Sequence, residues 1–174
     1  MPYKKKVREV MISLKDYPHI PYWFSLRQAV AIVRESAIKY AGVFEPRGVL
    51  VFNEKYEIVG LLTLRDILKG LEPGFLKESD LVKVEPELAV VMGDLFGPGM
   101  KKQAERPVSE VMEPIKVSVQ ADDSLAKALF LMIHENVGMM PVMEANRVVG
   151  MVRLMDLFLE VSQAILEKTE PEMP

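Results

Sequence analysis

Polar and apolar positions along the chain fall into one succession that occurs twice. In the later occurrence "KVSV" (116–119) is a short β-rich run, and Asp122, Asp123 and Ser124 offer N-caps to a following helix. Leu125, Ala128, Leu129, Met132 and Ile133 then recur at helical spacing, which predicts an amphipathic helix with these residues on one face. "MMPVM" and "RVVGMV" are apolar runs on either side of the polar turn "EAN", the pattern of a β-hairpin. "LMDLFLEVSQAIL" returns to helical spacing through Leu154, Leu157, Phe158, Val161 and Ile165. The predicted unit is β-α-β-β-α.

The earlier occurrence has "RQAVAIVRESAIKY" as its helix, "GVLVF" and "YEIVGLL" around the turn "NEK", and "LRDILKGL" as the closing helix. Its opening strand is less clear. "KDYPHIPYWF" holds two prolines and a cluster of aromatics, which suits an irregular segment better than a regular strand.

Direct self-comparison supports the repeat. "VREVM" (7–11) returns as "VSEVM" (108–112), "SLRQAV" (25–30) as "SLAKAL" (124–129), and "RGVLVFNEKYEIVGLLTLRDIL" from Arg47 aligns without gaps to "VGMMPVMEANRVVGMVRLMDLF" from Val137. The offset falls from 101 to 99 to 90, so the first copy is longer by 101 − 90 = 11 residues. Two of these lie before Ser25 and nine between the first helix and Gly48, where loops or helix ends absorb them. The division expected is a first repeat at 1–71, a connector at 72–107, a second repeat at 108–168 and a tail at 169–174. Prolines and glycines punctuate the connector, and its "LAVVMGDLF" is apolar enough for a short packed helix, against a module edge or a second subunit.

Composition narrows the chemistry. With 49% hydrophobic and 27% charged residues the 174-residue chain has apolar side chains for one or two small cores. A net charge of −3 argues against a broad basic surface for nucleic acid, although "YKKKVR" (3–8) is a local basic cluster. The absence of cysteine removes disulfides, thiolate nucleophiles and thiolate metal sites and fits a reducing compartment. No apolar run reaches the roughly 18 to 20 residues that span a bilayer, and no signal-peptide core follows the first lysines, so a cytoplasmic protein without membrane insertion is expected. The two histidines, His19 and His134, stand far apart without HExxH spacing, and His134 reads as a helix-surface or partly buried residue. Neither a GxGxxG nor a GxxxxGK[ST] loop is present, and no metal site is expected.

"VGLLTLRDIL" (59–68) carries the candidate chemistry. Thr63 and Asp66 have the spacing of a capping box at the start of a helix, and the same pair offers a hydroxyl and a carboxylate to a ligand. In "VGMVRLMDLF" (149–158) Arg153 replaces the threonine while Asp156 stays. The aspartate is the repeated element.

A doubled β-α-β-β-α unit with an apolar-Gly-x-x-[Thr/Ser]-x-x-Asp block resembles the cystathionine β-synthase (CBS) domain, which usually occurs as a tandem Bateman module. The carrying residues are "VGLLTLRD" (59–66), "VGMVRLMD" (149–156), "GMMPVME" (138–144) and the "VREVM" and "VSEVM" blocks. The resemblance implies an α+β fold of two repeats packed with pseudo-two-fold symmetry, and it leaves out the inserted helical connector and the tail. It implies regulation without catalysis through binding of an adenosine compound, AMP, ADP, ATP or S-adenosylmethionine. By the same resemblance Asp66 and Asp156 hold ribose, and Thr63 places its hydroxyl on the ribose or first phosphate. Adenine slides between His19 and Ile20 with Gly48 and Val49 in the first copy. In the second it lies among Val117, Ser118, Val137, Gly138, Met139 and Pro141, with Arg153 neutralising phosphate or obstructing the cleft. Homodimerisation through exposed helices and an effector protein of unknown identity are implied as partners. A different class of reading is a ligand-free interaction module that uses the connector. An enzymatic reading is poor, because neither copy juxtaposes a nucleophile, a base and oxyanion donors.

Overall fold

The computed structural model describes residues 4–39, 48–72 and 98–167, so the helix expected at "LAVVMGDLF" lies outside the described residues. Along the chain the strands are β1 (Ile12–Ser13), β2 (His19–Pro21), β3 (Gly48–Phe52), β4 (Ile58–Thr63), β5 (Val119–Gln120), β6 (Met139–Glu144) and β7 (Arg147–Arg153). The helices are α1 (Leu26–Lys39), α2 (Leu64–Gly70), α3 (Pro98–Gln103), α4 (Leu125–His134) and α5 (Leu154–Leu166). The architecture is α+β, as expected.

Two packing units emerge, Pro18–Pro114 and Met1–Tyr17 with Ile115–Pro174. In the first, β2 runs parallel to β3 and β3 forms an antiparallel hairpin with β4. Ile20, Leu26, Val49, Val51, Leu62, Ile67 and Val108 fill its core. In the second the strand order is β1-β7-β6-β5, with Val7, Val119, Leu125, Met132, Met140, Val152 and Leu157 inside. Met140 and Met151 are fully buried, as befits adaptable core filling.

These units cut across the repeat boundaries read from sequence, because each leading block packs on the other repeat's elements. Val7 N–H donates to the Asp123 carbonyl and Arg8 N–H to that of Ala121, both at 2.9 Å. Equivalently, Val108 N–H donates to Phe24 (2.7 Å) and Ser109 N–H to Tyr22 (3.0 Å). After the first block β1 joins the outer edge of β7, with Ile12 opposite Met151. After the second, Glu113 bridges Leu61 at the same edge of β4. Ion pairs of Lys5 with Glu160 and of Arg8 with Asp122 and Glu144 tie the first block down further.

Several expectations are corrected. The "KDYPHIPYWF" segment does contain a strand, β2. Among the described residues it pairs only with β3, an edge position where prolines lacking an N–H are tolerated, and the Pro18 carbonyl still accepts from Leu50 N–H at 3.2 Å. "KVSV" contributes only Val119 to β5, with Val117 half-buried and Ser118 exposed ahead of it. Of the α5 residues at helical spacing only Leu157 is buried, while Phe158 and Ile165 are 60% and 73% exposed; on α4, Ile133 is exposed. His134 is exposed and packs against Phe130 at a ring separation of 4.0 Å.

The ungapped alignment of the hairpins also slips by one. Val51 pairs with Gly60 and Val142 with Gly150, which aligns Val51 with Val142, an offset of 91 on β3 and 90 on β4. The cause is one additional residue in the first turn. Between Phe52 and Ile58 lie residues 53–57, whereas between Met143 and Val148 lie 144–147. In consequence Gly48 corresponds to Met139, and Leu50 to Pro141. His19, opposite Leu50, corresponds to Ser118, and Ile20, opposite Val51, corresponds to Val119.

The repeated glycine of "VGLL" and "VGMV" has a steric reason. A Cβ on Gly60 would lie 2.9 Å from the Glu113 carbonyl oxygen, and one on Gly150 would lie 2.5 Å from that of Ile12, while the Met112 and Met11 sulfurs crowd the same points. Gly60→Ala and Gly150→Ala are each expected to cost about 1–3 kcal/mol in urea denaturation, because backbone must shift. Gly138→Ala, with nothing within 4 Å of its Cβ, is the control and is expected to be neutral or stabilising by up to about 1 kcal/mol.

Candidate functional site

Each closing helix begins directly at the end of its hairpin, so the last strand residue is the N-cap and the aspartate is N3, in the first turn. Backbone N–H groups there are unpaired within the helix and the dipole favours an anion, which is why a carboxylate settles at this point in both units.

In the first unit Asp66 is 7% exposed and all its described hydrogen bonds fall on one oxygen. Thr63 N–H donates to Oδ2 at 2.9 Å and Thr63 Oγ1 donates to the same atom at 2.8 Å, while Asp66 N–H donates back to Oγ1 at 3.1 Å. Oδ1 accepts from none of the described residues. The capping reading of Thr63 and Asp66 is therefore correct, and it leaves one carboxylate oxygen available.

In the second unit Asp156 is occupied on both oxygens. Arg153 N–H donates to Oδ2 at 2.9 Å, Arg153 Nε to Oδ2 at 3.0 Å, and Arg153 Nη2 to Oδ1 at 2.7 Å. The side chains are only 15% and 12% exposed, so this fork is shielded from water more than a surface ion pair. A hydroxyl seeking Asp156 competes with a bidentate guanidinium.

The remaining predicted residues divide. Gly48 pairs with Thr63 across the hairpin, which sets the start of β3 beside the Asp66 turn, and Val49 follows it fully buried. Ile20 is 1% exposed and belongs to the core, and His19 sits two residues beyond Gly48 in the parallel register, where its Nε2 lies 2.6 Å from the Tyr56 hydroxyl. His19 and Ile20 are thus not brought to Gly48. In the second unit Met139 pairs with Arg153, Gly138 is exposed and its carbonyl accepts from Leu154 N–H at 2.8 Å. Val137 is half-buried and Pro141 is buried within β6.

Sequence reasoning missed Tyr17. Its ring is 1% exposed, and its hydroxyl contacts the Met139 sulfur at 3.8 Å beside the Arg153–Asp156 pair. Burial pushes the phenol well above the usual tyrosine range; the Arg153 charge pulls it back and the Asp156 charge raises it further. It remains neutral. Only the crossing of the leading block brings Tyr17 to the second unit, and no local motif marks that crossing.

A hollow of about 200 Å³ in the first unit is lined by Asp66, Lys69, Gly70, Arg106, Glu110, Val111 and Glu113. Of the predicted binding residues it includes only Asp66, and it is smaller than the roughly 300–1,000 Å³ of ordinary ligand pockets. Arg106 spans it, donating to the Gly70 carbonyl and to Glu110, both at 3.2 Å. Among the described residues there is no group of three or more His, Asp or Glu side chains placed to hold a metal ion. No described helix is long and apolar enough to cross a membrane.

Solved structures share this architecture. CBSX2 crystallised with AMP matches at a TM-score of 0.64 and 16% identity, covering 92% of this chain and 98% of that one. A CBS domain-containing protein of unknown function from Bacillus anthracis matches at 0.67 and 18%, covering 93% and 96%. The CBS domain of a bacterial CNNM/CorC family Mg2+ transporter, in complex with the inhibitor IGN95a, matches at 0.63 and 19%, covering 97% and 81%. The family model of the CBS domain matches residues 108–163. Residues 108–163 therefore match the CBS domain in sequence, and the chain has the fold of these CBS-domain structures. No curated protein matches it in sequence. At these identities the structural likeness is one of fold, and the first repeat shares that fold without matching the family model.

Thr63→Ala removes both the hydroxyl acceptor and the hydroxyl donor of the first capping box. It is expected to lower stability by about 1 kcal/mol in chemical denaturation with an unchanged m-value.

Proposed function

We propose that this CBS module is a cytoplasmic, non-catalytic sensor that binds an adenine nucleotide, AMP, ADP or ATP, at the Asp66 turn and reports occupancy to an effector protein. The observation that carries the reading is the open Oδ1 of Asp66, a carboxylate oxygen at a helix start with no partner among the described residues, on a side chain that Thr63 holds through Oδ2. A carboxylate so placed accepts hydrogen bonds from ribose hydroxyls, and the N–H groups of the same helix end favour phosphate. The AMP in the CBSX2 crystal supports the ligand class. Gly48 and Val49 offer backbone beside the turn, and Thr63 orients the acid. S-adenosylmethionine shares the adenosine half and belongs in the same panel.

In this reading the two aspartates are not equivalent. Asp156 reads ribose only after Arg153 lets go, so the first turn is occupied first, and Arg153 turns to phosphate if the second is occupied at all. Binding shifts the protein between arrangements only to the extent that the ligand prefers one of them. Phe130, Ile133, Phe158, Ile165 and Leu166, 59–78% exposed on α4 and α5, form the surface through which we expect a homodimer.

A ligand-free interaction module is the second reading, favoured by the occupied Asp156 and by this same apolar surface. Calorimetry with AMP, ADP, ATP and S-adenosylmethionine separates the two. The expected result is binding that Asp66→Asn weakens about tenfold or more and Asp156→Asn changes little, each lost charge-assisted hydrogen bond being worth about 1.5–3 kcal/mol. Arg153→Thr is expected to add a second binding event. If none of the four compounds raises the melting temperature at about 1 mM, the sensor reading fails, because a ligand selective for the native state must stabilise it.

A further inference from the structure

The first unit carries an aromatic patch at positions whose counterparts in the second unit bear no rings. Its rings form a chain of edge and tilted contacts. His19 meets Tyr56 at 5.7 Å, Tyr56 meets Phe52 at 4.9 Å, Phe52 meets Trp23 at 6.2 Å, and Trp23 meets Tyr22 at 5.6 Å. In the corrected register the corresponding residues of the second unit are Ser118, Asn146, Met143, Asp122 and Ala121. A repeat that builds the same sheet and helices with none of these rings shows that the fold does not need them.

Two further features point outward. Trp23 and Tyr56 are 53% and 58% exposed, so large apolar faces remain in water. Tyr56 also sits at φ 60°, a left-handed conformation that is strained for an aromatic residue, whereas its counterpart Asn146 adopts φ 61° with the residue type that tolerates it. Strain of this kind persists where a side chain is wanted for something other than the turn.

The charge beside the patch selects the partner. Glu54 accepts from the Tyr22 hydroxyl at 3.4 Å and Glu57 from the Asn53 amide at 3.3 Å, and neither forms an ion pair among the described residues. With Lys55 between them, the turn keeps a net negative charge. Electron-rich ring faces beside uncompensated carboxylates suit a guanidinium, which stacks on the rings and donates to the acids. We propose that Trp23, Phe52 and Tyr56, flanked by Glu54 and Glu57, form a docking site for an arginine-bearing segment of a partner protein. The site is independent of the nucleotide reading.

Trp23 is the only tryptophan in the chain, so its fluorescence reports on the patch directly. Titration of the 174-residue chain with a hexa-arginine peptide is expected to change Trp23 emission saturably, while hexa-glutamate leaves it unchanged. Tyr56→Asn, which relieves the strain and should melt no lower than the wild type, is expected to weaken the peptide about threefold. The double variant Glu54→Gln, Glu57→Gln is expected to weaken it about fivefold. Glu135→Gln, an exposed acid of the other unit, should have no effect. The proposal is overturned by an unchanged emission, by patch variants that bind as the wild type does, or by an equal loss in Glu135→Gln, which would mean general attraction to an acidic protein. A nucleobase that quenches Trp23 where the peptide does not would likewise overturn it and reassign the patch to a planar ligand.

Discussion

A backbone N–H donating to a carboxylate three residues further on is the interaction around which both repeats are arranged. It is made by Thr63 with Asp66 and by Arg153 with Asp156, at the same 2.9 Å. In each case it ends a strand, starts a helix and holds an acid where the chain turns. What differs is the use of the remaining lone pairs. Thr63 supplies one hydroxyl and leaves Oδ1 without a partner among the described residues, whereas Arg153 covers both oxygens with a guanidinium. One substitution thus separates two turns that the backbone builds alike, and the functional asymmetry proposed for them rests on that difference.

The turns are held in place by packing elsewhere. Each hairpin needs an outer neighbour for its last strand, and in each unit that neighbour arrives from the leading block of the other repeat. The approach is so close that only glycine fits at Gly60 and Gly150, where the carbonyls of Glu113 and Ile12 would meet any Cβ. The repeated "VM" and "VG" pairs are therefore two halves of one contact. Val7 and Val108, both fully buried, anchor the crossing blocks in the two cores.

Much of this was legible in the sequence, and the failures have physical causes. The β-α-β-β-α order, the hairpins and the capping aspartates follow from periodicity and from chemistry local to a few residues. The crossing of the leading blocks does not, because "VREVM" and "VSEVM" are alike and nothing local states which sheet each joins. The one-residue slip between hairpins was hidden by a turn that lengthens from 144–147 to 53–57 without changing the alternation around it. The family resemblance set His19 and Ile20 with Gly48 and Val49, whereas the register pairs them two residues further along β3, with Leu50 and Val51. Helical spacing placed Phe158 and Ile165 on one apolar face of α5, and periodicity does not report what covers such a face; both are exposed.

The central claim, that the Asp66 turn is a nucleotide site and the Asp156 turn is held by its own arginine, is tested most directly by a two-dimensional 1H–15N NMR titration of the intact chain with AMP. The account predicts that the amide signals of Thr63 and Asp66 move first and saturate, while those of Arg153 and Asp156 stay in place or follow only at much higher concentration. Signals of both turns that remain fixed at millimolar AMP, or an Arg153–Asp156 turn that responds before Asp66, would contradict it.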